Sequence, residues 1–134
     1  MLPFSKGKYR ARLAETAADQ ESAQRLRFLA FASEHGADSR QNGLDSDQFD
    51  PLCKHFLIEN RRTGQLLCCF RIMIFPSGAE ISKSYSAQFY ELSALESYSA
   101  PMVELGRFCV HPAENDPDLL RLAWAAITRY VDNH

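Results

Sequence analysis

The sequence predicts a mixed α/β domain, with a sheet layered against helices, and three observations carry that expectation. Tyr9, Ala11 and Leu13 alternate with Lys8, Arg10 and Arg12, the period of two of a half-buried strand. Two strand-like runs, 54–59 and 66–75, flank a short segment containing Gly64, the pattern of a hairpin. Leu120, Ala123, Trp124, Ile127, Tyr130 and Val131 recur at helical spacing.

The 134 residues, 46% hydrophobic and 24% charged, predict one domain spanning 1–134. Fifteen Lys+Arg against seventeen Asp+Glu leave a net charge of −2, which argues against a duplex nucleic-acid binder. No apolar run reaches the roughly 18 to 20 residues of a spanning helix. The start MLPFSKGKYR lacks a secretory signal's apolar stretch, so a cytoplasmic location is expected. Cys53, Cys68, Cys69 and Cys109 show no C-x-x-C spacing; they read as reduced, buried thiols, and no metal site is expected.

Along the chain, residues 8–14 form the first predicted strand. Thr16 with Asp19 three positions on predicts a capped helix running to about residue 33, with Ala23, Leu26 and Ala30 inward and Gly36 just past its end. Arg25 and Arg27 read as solvated charges of that helix, with Arg25 able to reach the loop that follows. That loop, 34–51, is polar and carries Asp45, Asp47 and Asp50; so long an irregular stretch in a compact domain marks a functional loop. Its acidic residues lack the glycine and distal glutamate of a calcium loop. The segment 81–98 reads as a loop followed by two or three helical turns, from the spacing of Phe89, Leu92 and Leu95. Residues 101–110 form another strand. Asp116 is placed as the N-cap and Pro117 as the first residue of the last helix. Neither a dinucleotide nor a P-loop glycine pattern is present.

The candidate chemistry lies in ionisable residues inside strands. Arg71 sits in LLCCFRIMIF, and Glu104 and Arg107 sit in VELGRFCV. Such charges, if buried, must be paired, because an isolated ion there costs several kcal/mol. Strict alternation puts Glu104, Gly106 and Phe108 on one face and Leu105, Arg107 and Cys109 on the other. Glu104 and Arg107 therefore share a site only if the strand is irregular between them, and Gly106 is where a bulge is expected. A bulge would free backbone N–H groups to polarise a carbonyl oxygen. His55, following the acidic loop, is a further catalytic candidate.

The runs RLRFLAFASEHG, GLDSDQFDPLCKHFLIEN, CCFRIM and VELGRFCVHP together resemble the ornithine-acyl-ACP N-acyltransferase family. These are GNAT-fold enzymes of lyso-ornithine lipid synthesis, similar also to the acyl-homoserine-lactone synthases. The resemblance implies a GNAT-like, mainly antiparallel sheet flanked by helices. It also leads to the expectation that a C-terminal strand and helix are missing, to be supplied by a further segment or a partner chain. The implied reaction moves a long-chain (3-hydroxy)acyl group from acyl-carrier protein to the α-amine of ornithine; autoinducer synthesis and a non-catalytic fragment are the alternatives. No permanently bound cofactor is implied: the phosphopantetheine thioester of the carrier protein is the donor substrate, and ornithine is the acceptor. Peripheral contact with the inner face of the bacterial membrane goes with a lipid-making enzyme.

Carried over by position, Arg25 and Phe28 shape the acyl and amine sites, and Asp45, Asp47 and Asp50 orient the substrate ammonium. Arg71 is the central-strand arginine, and His55 closes the acidic block. Glu104 and Arg107 line the strand against which the thioester lies. Glu104 is then the candidate base and Gly106 the oxyanion-binding backbone, while Arg71 and Arg107 hold the carboxylates of the loop or of the substrate. The loop HPAENDPD, acidic and without glycine, suits a coenzyme A pyrophosphate badly and favours the carrier-protein donor.

Overall fold

The computed structural model describes residues 3–35 and 43–133, with side chains up to residue 31 in the first stretch. Five strands, β1 (Phe4–Lys6), β2 (Tyr9–Leu13), β3 (Lys54–Asn60), β4 (Leu66–Phe75) and β5 (Met102–Val110), form one sheet in chain order. Every neighbouring pair is antiparallel. Helix α1 (Ala17–His35) covers one face and α2 (Pro117–Asp132) the other. No helix among the described residues is long and apolar enough to cross a membrane.

Local chemistry sets the boundaries. The Asp19 N–H donates to Thr16 Oγ1 at 3.0 Å, so the predicted cap opens α1. Gly36, expected beyond its end, lies outside the described residues, as does part of the predicted loop 34–51. Gly64, with φ +77°, closes the β3–β4 turn by donating its N–H to the Asn60 carbonyl. Asp116 caps α2 through the Asp118 N–H, with Pro117 in the first turn.

The strand alternation divides the core in two. Tyr9, Ala11, Phe56, Ile58, Cys68, Phe70 and Ile72 meet Leu119, Leu122, Ala123, Ala126 and Tyr130 of α2. Phe56 stacks on Phe70 at 4.7 Å and meets Tyr130 edge-on at 5.1 Å. On the opposite face Leu57, Cys69 and Cys109 pack under Ala23, Leu26 and Ala30 of α1. All four cysteines are free thiols, three of them buried and Cys53 half-buried.

Three expectations need correction. The short strand β1, joined to β2 through Gly7 at φ +59°, was not foreseen. The 81–98 segment holds no α-helix: between β4 and β5 run three 3-10 turns, Gly78–Lys83, Ser86–Gln88 and Ser93–Leu95. Its N–H groups are drawn elsewhere, Tyr85 and Ser86 to Glu104 and Ala87 to Ser84 Oγ, which competes with an α-helical ladder. Gly78 packs on the Leu95–Tyr98 backbone so closely that a Cβ there would fall 1.7 Å from the Leu95 carbonyl oxygen. Finally, α2 is rotated from the predicted orientation. Ala123 and Tyr130 face inward as expected, but Leu120, Trp124 and Val131 are exposed, and Leu119, Leu122 and Ala126 take the inner positions.

Candidate active site

The site is built where α1 stops covering its face of the sheet. Ala23, Leu26, Arg27 and Ala30 occupy i, i+3, i+4 and i+7 of α1, all on its buried side. Arg27, only 1% exposed, therefore enters the domain as a charged member of an apolar row. Its Nη1 and Nη2 donate to the two Asp50 oxygens at 2.8 and 2.9 Å, its Nε to Asp45 Oδ2 at 3.0 Å, and Nη2 also to the Asp45 carbonyl. Arg25 lies on the opposite side, exposed and paired with Glu21 at 2.6 Å. The helix arginine that reaches the acidic loop is thus Arg27, and Arg25 does not reach it. Phe28 is half-buried and is not among the residues lining the cavity described below.

The loop is fastened to α1 and the sheet by its own acids. The Asp45 N–H donates to the Gln24 carbonyl, and Gln24 Nε2 to Asp50 Oδ2. Arg71 of β4 forks onto Asp47, Nη1 to Oδ1 at 2.6 Å and Nη2 to Oδ2 at 2.9 Å, and Nη1 also reaches Asp50 at 2.7 Å. Burial alone would raise the Asp50 carboxyl, but the Arg27 and Arg71 guanidinium groups outweigh it and hold the pKa well below the carboxylate range. Asp47 is pulled the same way: against burial, Arg71 lowers it. His55, buried on β3, donates from Nε2 to the Asp50 carbonyl at 2.8 Å. Burial lowers its pKa, so the imidazole is neutral at pH 7. It supports the loop from below and does not line the cavity.

The irregularity expected near Gly106 is present. Arg71 pairs with Gly106 and Cys69 with Cys109, so two steps along β4 face three along β5. The residue that takes the left-handed backbone conformation is not the glycine but Arg107, at φ +49°. The extra residue turns Arg107 onto the α1 face. Its Nη2 donates to Asp47 at 3.3 Å, and its Nε lies 3.4 Å from Asp45 without a hydrogen bond. The register also sets Glu104 beside Met73 on that face. Gly106 leaves room beside Arg71: a Cβ there would meet the Arg71 side chain at 3.7 Å.

A cavity of about 180 Å³ opens at this bulge, lined by Cys53, Arg71, Met73, Tyr85, Glu104 and Arg107 with neighbouring backbone. Glu104 does not pair with the arginines. Its Oε1 and Oε2 accept the Tyr85 and Ser86 N–H groups at 2.9 Å each, which anchors the β4–β5 loop. Tyr85 then lies 5.7 Å from the Arg71 guanidinium and 5.3 Å from that of Arg107. Burial pushes the Cys53 thiol up to about 11, leaving it un-ionised. Arg27 and Arg71 each make short hydrogen bonds to Asp50 and to a second aspartate, whereas Arg107 keeps a partnerless Nε and long contacts. The arrangement thus offers an anchored carboxylate, an under-used guanidinium and a distorted strand within one cavity.

Sequence reasoning brought Asp45, Asp47, Asp50, Arg71, Glu104, Gly106 and Arg107 to this place, with His55 beneath it. It missed Arg27, whose signal was its i+4 relation to Ala23, and Tyr85, whose loop has no periodicity.

Residues 26–125 match the profile of the acetyltransferase (GNAT) domain. The chain is similar to L-ornithine N(alpha)-acyltransferase of Rhodobacter capsulatus, with 30% identity over 94% of this chain and 52% of that protein. The protein of the same name from Brucella abortus is 30% identical over 96% of this chain and 50% of its own length. That from Rhizobium meliloti is 28% identical over 92% and 45%. The chain therefore spans about half the length of the curated relatives it matches. Among solved structures, FeeM, an N-acyl amino acid synthase from uncultured soil microbes, superposes with a TM-score of 0.61 at 17% identity, over 94% of this chain and 66% of that one, a likeness of fold.

Proposed function

Because the chain belongs to the acetyltransferase (GNAT) domain family, we propose that its cavity serves an N-acyltransferase. The long-chain (3-hydroxy)acyl group comes from acyl-carrier protein and the acceptor is the α-amine of ornithine. The observation that carries this reading is the β5 bulge, which brings Glu104 and Arg107 to one face beside an acidic loop neutralised by Arg27 and Arg71. An amino acid needs a carboxylate-binding cation and a group to receive the ammonium proton. Arg107 supplies the first, since its guanidinium is the least committed of the three. Glu104 supplies the second, directly or through one water. The relatives' shared name supports ornithine as acceptor.

In the proposed reaction Glu104 takes the ammonium proton, and the neutral amine so formed attacks the thioester carbonyl carbon, its second proton leaving later with the departing sulfur. Backbone N–H groups around Gly106 and Arg107 stabilise the oxyanion. Collapse of the tetrahedral intermediate breaks the C–S bond, forms the amide, and releases the pantetheine thiol with a proton. His55 acts as a positioning residue through the Asp50 carbonyl. The N-terminus of α2 supports the carrier-protein donor: its first turn is already occupied by Asp116, which also accepts from Tyr9 at 2.5 Å and pairs with Lys8 at 3.4 Å. A doubly charged pyrophosphate would meet those carboxylates; a single-phosphate arm meets less repulsion. We place the reaction in the cytoplasm.

The test is Glu104→Gln. Glutamine can keep one of the two loop N–H bonds, so the fold is expected to persist while turnover with acyl-carrier protein and ornithine falls about 10²–10⁴-fold. Unchanged turnover at saturating ornithine removes Glu104 as base. Product mass after offering ornithine or S-adenosylmethionine in parallel decides between the lipid and autoinducer chemistries.

A further inference from the structure

The β4–β5 loop places one aromatic side chain against the cations of the cavity, and the reaction proposed above gives it no role. Tyr85 is half-buried, and its ring is held from more than one side. Phe49 meets it edge-on at 5.5 Å, and Phe89 lies at 5.4 Å. Phe49 belongs to a buried cluster with Met73, Phe75 and Ile81, against which Tyr85 packs. The backbone is fixed as well, because the Tyr85 N–H donates to Glu104 Oε1 at 2.9 Å. The ring is therefore a set surface for the guanidinium groups of Arg71 and Arg107, 5.7 and 5.3 Å from its centre.

The two arginines need that surface unequally. Arg71 forks onto Asp47 and reaches Asp50 at 2.7 Å, so carboxylates already set its orientation. Arg107 has one hydrogen bond of 3.3 Å, to Asp47, and a buried Nε that lies 3.4 Å from Asp45 without bonding. A guanidinium so weakly tied, on a long stem, loses rotamer freedom when it grips a carboxylate. A ring face restrains it in advance and leaves its N–H donors free for that carboxylate.

From this geometry we infer that Tyr85 is a positioning residue for acceptor recognition: its ring holds the Arg107 guanidinium ready for the acceptor's carboxylate. The acceptor's identity rests on the reaction proposed above; the hold on Arg107 rests on the contacts alone. The same residue ties cation to base, since its backbone is bonded to Glu104 while its ring faces Arg107. Tyr85 thereby sets the separation of the two groups. That separation matters for an α-amino acid, whose amine and carboxylate share one carbon. The δ-amine of ornithine lies further from the carboxylate, and a loosened Arg107 would let it compete for Glu104.

Tyr85→Leu removes the ring but keeps the N–H on Glu104, whereas Tyr85→Phe removes only the hydroxyl. With acyl-loaded carrier protein and ornithine, Tyr85→Leu should raise the KM for ornithine about tenfold while kcat changes little. The share of product acylated on the δ-amine, located by fragment masses, should rise with it. Tyr85→Phe should restore both. A second readout needs no turnover: the Arg107 Nε–H resonance, assigned by its loss in Arg107→Lys. The ring current should displace it upfield in the wild-type and Tyr85→Phe chains and not in Tyr85→Leu. An undisplaced wild-type resonance overturns the inference, whether or not Tyr85→Leu folds. So does a Tyr85→Leu effect confined to kcat, or a Tyr85→Phe chain as impaired as Tyr85→Leu. A displaced resonance in a chain that leaves ornithine unacylated refutes the proposed reaction instead, and the ring's hold on Arg107 stands.

Discussion

On one face of the sheet, α2 presses leucine, alanine and tyrosine side chains against stacked phenylalanines of β3 and β4. On the other, α1 covers an apolar patch and then gives way to Arg27, Asp50, Arg71 and His55, all buried. The first face gains stability from area removed from water, which is non-directional and tolerant of small shifts. The second depends on hydrogen bonds of set length between full charges, where losing one partner strands another. A fold that uses both keeps its shape on the apolar side and its chemistry on the charged side, and the cavity opens only on the latter.

The difference can be broken most forcefully at Arg27. Arg27→Ala removes the partner of Asp50 and Asp45 together and is expected to cost about 3–5 kcal/mol in urea unfolding. A loss below about 1 kcal/mol would mean that Arg71 alone carries the cluster. The apolar counterpart, Leu122→Ala, should cost about 2–5 kcal/mol, with a penalty that stays the same from pH 7 to pH 4. A pH-dependent Leu122→Ala penalty would show the two faces to be coupled.

The smallest effect separates the charged face by pH. Burial keeps the folded His55 below its ordinary value, so between about pH 6.5 and that lower value only the unfolded chain binds the proton. Stability therefore declines as pH falls below about 6.5. Asp19, Asp47 and Asp50 are held low by arginines, so their contribution is intact above about pH 4 and disappears as pH falls through their folded values. Thermal melts should show both steps, and His55→Gln, which can still donate to the Asp50 carbonyl, should abolish the upper one alone. Retention of that upper step would assign it to another histidine.

How much of this was legible follows from the range of the interaction involved. The ends of β4, the Gly64 turn and the Asp116–Pro117 start of α2 rest on neighbours in sequence, and they were read as they stand. The bulge was legible as a condition, since Glu104 and Arg107 can meet only if alternation breaks. Which residue would take the left-handed conformation was not, because the Asp45 and Asp47 carboxylates that draw in Arg107 come from a distant loop. Arg27 and Arg25 are both charges on one helix; only the position of the sheet says which is inside. The same holds for α2, whose apolar arc is wider than the sheet can cover, so the sequence alone did not choose Leu122 over Trp124.

The backbone at Arg107 has a consequence for how this domain would drift. A non-glycine residue at φ +49° is strained by about 1–2 kcal/mol, and glycine would relieve that strain. Arg107→Gly is therefore the change that screening for robustness alone would favour, and it would erase the least committed cation of the cavity. Laboratory evolution without a functional assay should thus settle on a sturdier, inert descendant, and an arginine persisting at this position under neutral drift would itself be a record of selection for what the cavity does.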